Sequence, residues 1–303
     1  MEPDSWLGVE VRHLAALQAL AAERSFGRAA RRLGYTQSAV SQQIATLERI
    51  VGERLVERPG GPRPVSLTEA GELLLRHAES IVARLKAAQA DLNALRAGEA
   101  GTLRVGAFQS VGARVLPETM RRFTEQWPQI EVRLDELEDD EIVDAIESGE
   151  IDVGFVLLPV GDAPLETLEL LHDPYVLIVA AASPLAAAKP SLRDAVTFPL
   201  VGFRDSHANE QVVAAFRAEG IEPHWAFRSN DNPTIQGLVA AGVGVAVMPR
   251  LTVDTQDPRV AVVDLSGAVP SRIVAIAQHR DRYSSPAARA FVETAREAVA
   301  TRP

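Results

Sequence analysis

Thr36, Gln37, Ser38, Ser41 and Gln42 place five amide or hydroxyl side chains within the seven residues 36–42. These groups carry no charge but form directional hydrogen bonds. That chemistry suits base edges in a major groove, where Gln can pair bidentately with adenine and Ser can donate or accept. A merely solvated face would more often carry Glu and Lys; here Arg49 is the only charge on that side. The bland alternative is a small helical bundle whose polar face is simply wet.

The surrounding sequence says what would position these groups. Val40, Ile44 and Leu47 share one helical face, which leaves Gln37, Ser38, Ser41 and Gln42 mainly on the other. Thr36 can cap the free N–H groups at the start of that helix. Ahead of it, Phe26, Ala29, Ala30 and Leu33 form an apolar set at helical spacing, and Gly34-Tyr35-Thr36 is a tight turn. Two helices joined by a short Gly-containing turn read as a helix-turn-helix with the second helix as reader. After Gly52 and the apolar pair Leu55-Val56, the run Arg58-Pro59-Gly60-Gly61-Pro62-Arg63-Pro64 cannot be helix and reads as a hairpin tip, or wing. Arg58 and Arg63 flank that tip and, with Arg31, are candidates for phosphate or minor-groove contacts.

Val11 to Ala22 is expected as a first helix, with Leu14, Leu17 and Leu20 as bundle core. Thr68 opens a long helical pattern that ends at Ala97-Gly98. Within it Leu74, Ala78, Ile81, Leu85, Ala88, Leu92 and Leu95 recur at alternating four- and three-residue steps. Such a seam calls for a partner helix and predicts dimerisation. The alternative is a stripe that packs on the chain's own body.

Overall composition argues against nucleic acid: the 303 residues hold 31 Lys and Arg against 41 Asp and Glu, a net charge of −10. The charge is uneven. Residues 1–67 hold nine basic and seven acidic residues, or +2, whereas the remainder holds 22 and 34, or −12. A weakly basic module predicts that DNA binding needs two or more modules together. There are no cysteines, which excludes disulfides, thiolate metal sites and a cysteine nucleophile. No apolar run approaches a membrane span. The start, MEPDSWLGVEVRHL, lacks a basic-then-apolar signal, so a cytoplasmic setting is expected.

Residues 21–71, AAERSFGRAARRLGYTQSAVSQQIATLERIVGERLVERPGGPRPVSLTEAG, resemble the winged helix-turn-helix of the LysR-type transcriptional regulators in order and spacing. The resemblance implies that Thr36, Gln37, Ser38, Ser41 and Gln42 face DNA and that Arg63 is the wing arginine. Two positions depart from the family: Gln42, often Arg in relatives, and Val56, often Phe. The first bears on which bases are read, the second only on wing packing. The long helix matches the family's linker helix.

From Thr102 onward strands and helices alternate, which predicts a parallel sheet with crossovers. Strands are expected at 103–107, 130–134, 151–157, 175–181, 200–203, 226–229, 260–265 and 273–278, with another leading into Pro249. Helices are expected at 111–127, 140–148, 210–219, 234–241 and 285–300. The pieces TLRVGAFQSVGARVLPETMRRFTEQWPQIEVRL, GEIDVGF and IQGLVAAGVGVAVMP resemble the family's periplasmic-binding-protein-like effector domain. The expected architecture is therefore multidomain, α and α/β. It comprises a winged helix-turn-helix DNA-binding domain at 1–68, a dimerisation linker helix at 69–98 and an effector domain at 99–303. By resemblance, subdomain I of the effector domain is 99–172 and 268–303, and subdomain II is 173–267.

Ligands of α/β sheets bind beyond the carboxyl ends of strands. The candidate effector contacts are Gln109, Ser110 and Val111 in one loop, Asp139 in a second, Leu157 in a third, and Phe203, Arg204, Asp231 and Thr234 across the cleft. Ser110 matches a family position that often bonds an effector, but it could equally be a helix cap. Asp139 could simply favour a helix N-terminus; facing a pocket, it would disfavour an anion. Some carboxylate-binding relatives have Arg near Leu157, and none is present here. The expected effector is small and partly apolar or zwitterionic, rather than a simple dicarboxylate.

An enzyme is disfavoured. The six histidines lack metal-ligand spacing, and there is no Gly-x-Ser-x-Gly elbow or P-loop. Gly242-x-Gly244 is too short for a dinucleotide fingerprint. No catalytic residue, metal or cofactor is assigned. The alternative function is a cytosolic small-molecule-binding protein whose DNA module is architectural. The favoured reading, by resemblance, is a regulator that binds promoter DNA as a dimer, or a tetramer formed by two dimers, and answers to a small effector. RNA polymerase is a candidate partner; a membrane is not.

Overall fold

The computed structural model describes residues 5–57, 64–97, 101–204, 207–265 and 267–301. The chain divides into two compact units, Met1–Leu92 and Asn93–Pro303.

The first unit begins with α1 (Val11–Glu23), α2 (Phe26–Leu33) and α3 (Gln37–Val51). Ser25 caps α2 by accepting from the Arg28 N–H, and Gly34, at φ 71°, ends it in the left-handed conformation that a residue with a side chain rarely adopts. Thr36 Oγ1 then accepts from the Ala39 N–H at 3.2 Å and starts α3. Leu14, Leu17 and Leu20 of α1, Ala29 and Ala30 of α2, and Val40, Ile44 and Leu47 of α3 are buried in one core. β1 (Val56–Glu57) and β2 (Ser66–Leu67) form the antiparallel base of the wing. Arg58 and Arg63, predicted at its tip, lie outside the described residues.

α4 (Glu69–Ala97) follows, with Glu69 and Glu72 in its first turn, where carboxylates suit the helix dipole. The predicted seam divides. Leu74 (8% exposed) and Ala78 (0%) pack into the core of the first unit, because they lie on the turns nearest that core and complete it. They are therefore not free to meet another chain, which corrects the seam at its N-terminal end. Ile81, Leu85 and Leu92 are 50%, 53% and 55% exposed, and Ala88 is also exposed. The Leu95 side chain lies outside the described residues.

The second unit has two hydrophobic cores and hence two lobes. The first lobe opens with β3 (Gly101–Ala107), α5 (Gln109–Arg114), α6 (Leu116–Gln126) and β4 (Ile130–Glu136). It continues with α7 (Asp139–Ser148), β5 (Val153–Leu158) and β6 (Leu165–Asp173). The second lobe contains β7 (Tyr175–Ala180), α8 (Leu192–Ala195), β8 (Leu200–Gly202), α9 (His207–Ala218) and β9 (Trp225–Arg228). It ends with α10 (Asn232–Ala240), β10 (Ala246–Pro249) and β11 (Val260–Asp264). The chain then returns through β12 (Arg272–His279) and closes with α11 (Pro286–Ala300). In the first lobe Phe291 of α11 meets Phe123 and Phe155 edge-on, at ring separations of 5.2 and 6.5 Å.

Three expectations are corrected. The five-stranded sheet, ordered β4-β3-β5-β12-β6, is mixed rather than parallel: β3 runs parallel to β4 and β5, but β12 is antiparallel to β5 and β6. β12 reverses because it enters the sheet from the second lobe rather than through a local helical crossover. In the second lobe β10-β7-β11 is antiparallel throughout, whereas β8 pairs in parallel with β9 and makes a single parallel bridge from Leu200 to Val245. The single helix expected at 111–127 is two, since Pro117 has no N–H to continue the ladder. β6, with its alternating polar residues, was not expected.

Candidate functional site

The first unit presents a polar helix end. Thr36, Gln37, Ser38 and Gln42 are exposed, and Ser41 is half-buried. Thr36 Oγ1 and Ser38 Oγ lie 3.0 Å apart, and Gln42 Nε2 donates to Thr46 Oγ1 at 3.4 Å. The Gln37 amide has no partner among the described residues. Arg31 is exposed and forms no ion pair among the described residues. Arg28 and Arg32, by contrast, both approach Glu23, at 3.4 and 3.5 Å. Two contributors were missed in the sequence. Tyr35, 48% exposed, presents an aromatic ring at the turn before α3. Glu48 accepts from the Leu55 and Val56 N–H groups at 3.0 and 3.2 Å, tying the reading helix to the wing. No metal-ligand cluster and no helix long and apolar enough to cross a membrane occur among the described residues.

In the second unit a cavity of about 200 Å³ lies between the two lobes. Gln109, Ser110, Asp139, Leu157 and Phe203 line it. The remaining predicted contacts do not. Val111 is fully buried in the first core, because it is on the inward side of α5. Asp231 and Thr234 form the cap of α10: Asp231 Oδ2 accepts from the Thr234 N–H at 2.8 Å and from its hydroxyl at 2.5 Å. These two bonds, the hydroxyl first, hold the Asp231 carboxyl below its usual range. Arg204 has an exposed side chain outside the cavity; its N–H donates to Asn230 Oδ1 at 3.1 Å and its carbonyl accepts from Arg228. Asp139 does line the cavity, with Oδ1 accepting from the Leu157 N–H at 3.1 Å.

Gln109 links the lobes. Its Oε1 accepts from the Asn232 N–H at 3.0 Å, and its Nε2 donates to Asp231 Oδ1 at 3.4 Å. This link separates the cavity from a neighbouring one of about 340 Å³ at the same junction.

The main residue missed is Arg272. Its side chain is 5% exposed and lines the smaller cavity. Nε and Nη2 lie 2.8 Å from Asp173 Oδ2, and Nη2 also donates to Ser110 Oγ at 2.8 Å. The guanidinium packs over the Phe108 ring at 5.3 Å. Asp173 ends β6 and Arg272 begins β12, and the two are cross-strand partners. The buried ion pair thus sits where the chain leaves the first lobe and returns to it. Ser110 is not the helix cap: Phe108 holds the N-cap position and Ser110 lies within the first turn of α5, where it joins the cavity to these crossing strands. The cavity contains an arginine after all, which weakens the absence of one near Leu157 as an argument about the ligand.

Comparison with known proteins accounts for both units. Residues 11–72 match the family model "Bacterial regulatory helix-turn-helix protein, lysR family", and residues 96–300 match "LysR substrate binding domain". The uncharacterized HTH-type transcriptional regulator YnfL of Escherichia coli (strain K12) is 30% identical over 293 residues, covering 94% of this chain and 97% of that protein. HTH-type transcriptional regulator CbbR of Rhodospirillum rubrum is 30% identical over 299 residues, covering 96% and 98%. The crystal structure of full-length CbnR complexed with its target DNA matches with a TM-score of 0.65 at 26% identity, covering 95% of this chain and 99% of that one. The chain belongs to the LysR family and is a DNA-binding transcriptional regulator with an effector-binding domain.

Proposed function

We propose that this regulator works in the cytoplasm as a dimer, and as a tetramer formed by two dimers, switched by a small molecule in the cavity that Ser110 and Arg272 line. The observation that carries this reading is the position of that cavity. It lies between two lobes, and its lining includes Arg272, which pairs with Asp173 across the two crossing strands. A ligand that prefers one lobe arrangement shifts the population toward it and, through the oligomer, alters the spacing of the readers on DNA. Gln37, Ser38, Ser41 and Gln42, capped by Thr36, read bases; Arg31, Arg58 and Arg63 hold the backbone. Ile81, Leu85, Ala88 and Leu92, with Leu95, form the free part of the dimer seam. RNA polymerase is the proposed partner at promoters where the regulator activates.

The test is fluorescence anisotropy on the DNA just upstream of the protein's own gene, at several salt concentrations. Wild type is expected to prefer this DNA over a scrambled sequence. Gln37→Ala should lose that preference by roughly 1–3 kcal/mol at one base position. Arg31→Ala should weaken all sequences alike and reduce the salt slope. Equal binding of Gln37→Ala and wild type to both DNAs would remove Gln37 from the reading face.

A further inference from the structure

The polar groups facing the lobe cavity have opposite requirements at its two poles. Ser110 is 3% exposed. Arginine can only donate hydrogen bonds, so Ser110 Oγ must accept from Arg272 Nη2. Its own hydroxyl hydrogen is then left without an acceptor among the described residues. Nη1 of Arg272 likewise has no partner there, although Nε and Nη2 are engaged. Both donors belong to residues that line the cavity, so this pole is suited to an oxygen that accepts.

The rim is the reverse. Glu136, Glu138 and Glu141 line the same cavity and pair with no cation among the described residues. The Glu138 and Glu141 side chains accept backbone N–H groups in a capping box at the start of α7, which fixes their position but leaves their charge unbalanced. One arginine, itself paired with Asp173, does not offset three carboxylates. A second anionic group on a ligand would meet repulsion here, and an ammonium would be attracted.

Between the poles, Asn232 is 8% exposed. Its N–H donates to Gln109, but its carboxamide has no partner among the described residues. It can bond either pole of a ligand. Phe108, Leu157 and Phe203 supply apolar walls. A volume of about 200 Å³ exceeds the roughly 150 Å³ that admits a benzene, so the occupant is a single small molecule.

From these features, and resting on the effector reading of this cavity, we infer that the ligand class is a small amino-acid zwitterion. Its carboxylate accepts from the Ser110 hydroxyl and Arg272 Nη1, and its ammonium faces Glu136, Glu138 and Glu141. A simple dianion is disfavoured by the same rim.

The experiment is calorimetric titration of the full-length protein with each of the twenty protein amino acids, and with succinate as the dianion. For any amino acid that binds, its deamino carboxylate and its decarboxylated amine follow. Each truncated counterpart should bind about tenfold or more weakly. Asn232→Ala, which removes a side chain that bonds nothing else among the described residues, should also weaken the amino acid by about tenfold. Glu136→Gln should weaken the amino acid and the amine but leave the carboxylate unaffected. The class is overturned if none of the twenty binds, if succinate or the deamino carboxylate binds as tightly as any of them, or if Asn232→Ala leaves affinity unchanged. Operator anisotropy with the same compounds separates the two readings. An amino acid that binds in calorimetry without altering anisotropy refutes the effector role and leaves the ligand class standing. A compound of other chemistry that alters anisotropy, and whose binding is lost in Asn232→Ala, refutes the class and leaves the effector role.

Discussion

Leu85→Ala and Leu85→Asp test whether the free part of the α4 seam meets a second copy of this chain. Leu85 is 53% exposed, and Ile81 and Leu92, a turn or two away, are 50% and 55%. Fully burying such a side chain is worth roughly 1.5–3 kcal/mol, so the exposed half leaves about 0.8–1.5 kcal/mol for association. A two-fold interface uses each residue twice. Leu85→Ala should therefore cost about 1.5–3 kcal/mol of dimer free energy, or roughly 10–150-fold in the dissociation constant. Leu85→Asp should cost more, because two carboxylates would be desolvated near the same axis. Arg76→Glu is the control: it lies nine residues earlier, about 180° around the helix from Leu85, and is exposed. Sedimentation velocity over a concentration series reads the change, with anisotropy on a two-fold related DNA site beside it. A dissociation constant unchanged in Leu85→Asp, or an equal loss in Arg76→Glu, would refute the seam.

Three further outcomes follow from particular contacts. In Gly71→Ala the new Cβ would stand 2.1 Å from the Leu55 carbonyl oxygen; backbone must shift, and urea melts should show a loss of at least about 1–3 kcal/mol in the first unit. His13 accepts the Glu10 N–H through Nδ1 at 3.1 Å, and burial holds its pKa below 6.5. The unfolded chain therefore takes up the proton first as pH falls, so the stability is full above about 6.5 and is lost as pH drops toward the lower folded value; circular dichroism melts should show that slope, and His13→Gln should flatten it. Arg272→Met leaves Asp173, 1% exposed, as an uncompensated buried charge and should cost about 3–5 kcal/mol, whereas Asp173→Leu with Arg272→Met should recover much of it; chemical unfolding followed by Trp127 and Trp225 fluorescence checks both.

The first unit was legible because its signals are local. Thr36, Gly34 and the 40, 44, 47 stripe act within one or two turns, and the structure buries or caps each as its spacing demands. The seam was only half legible for the same reason. Periodicity marks Leu74 and Leu85 alike as a and d positions, but only three-dimensional neighbours decide that Leu74 completes the first core while Leu85 remains exposed. The sheet order escaped as well. An apolar run such as 273–278 carries no mark of direction, and β12 turns antiparallel only because of where the chain returns from.

The cavity was the least legible part, since its key contacts join residues far apart. Arg272 lies 99 positions from Asp173 and 162 from Ser110, so no window contains the constellation. Read alone, Arg272 is a charge before an apolar strand and looks like a solvated edge. Folded, the same side chain is cross-strand partner to Asp173, lies over the Phe108 ring and fixes the direction of the Ser110 hydroxyl. That arrangement constrains how the proposed switch can operate. A ligand oxygen accepted at Ser110 and Nη1 adds to the guanidinium's bonds without displacing Asp173, which keeps both carboxylate oxygens engaged, Oδ2 with Arg272 and Oδ1 with the Leu251 N–H at 2.9 Å. Ligand binding at this arginine should therefore stiffen the crossing strands rather than break their ion pair, and the lobes would move about an intact hinge.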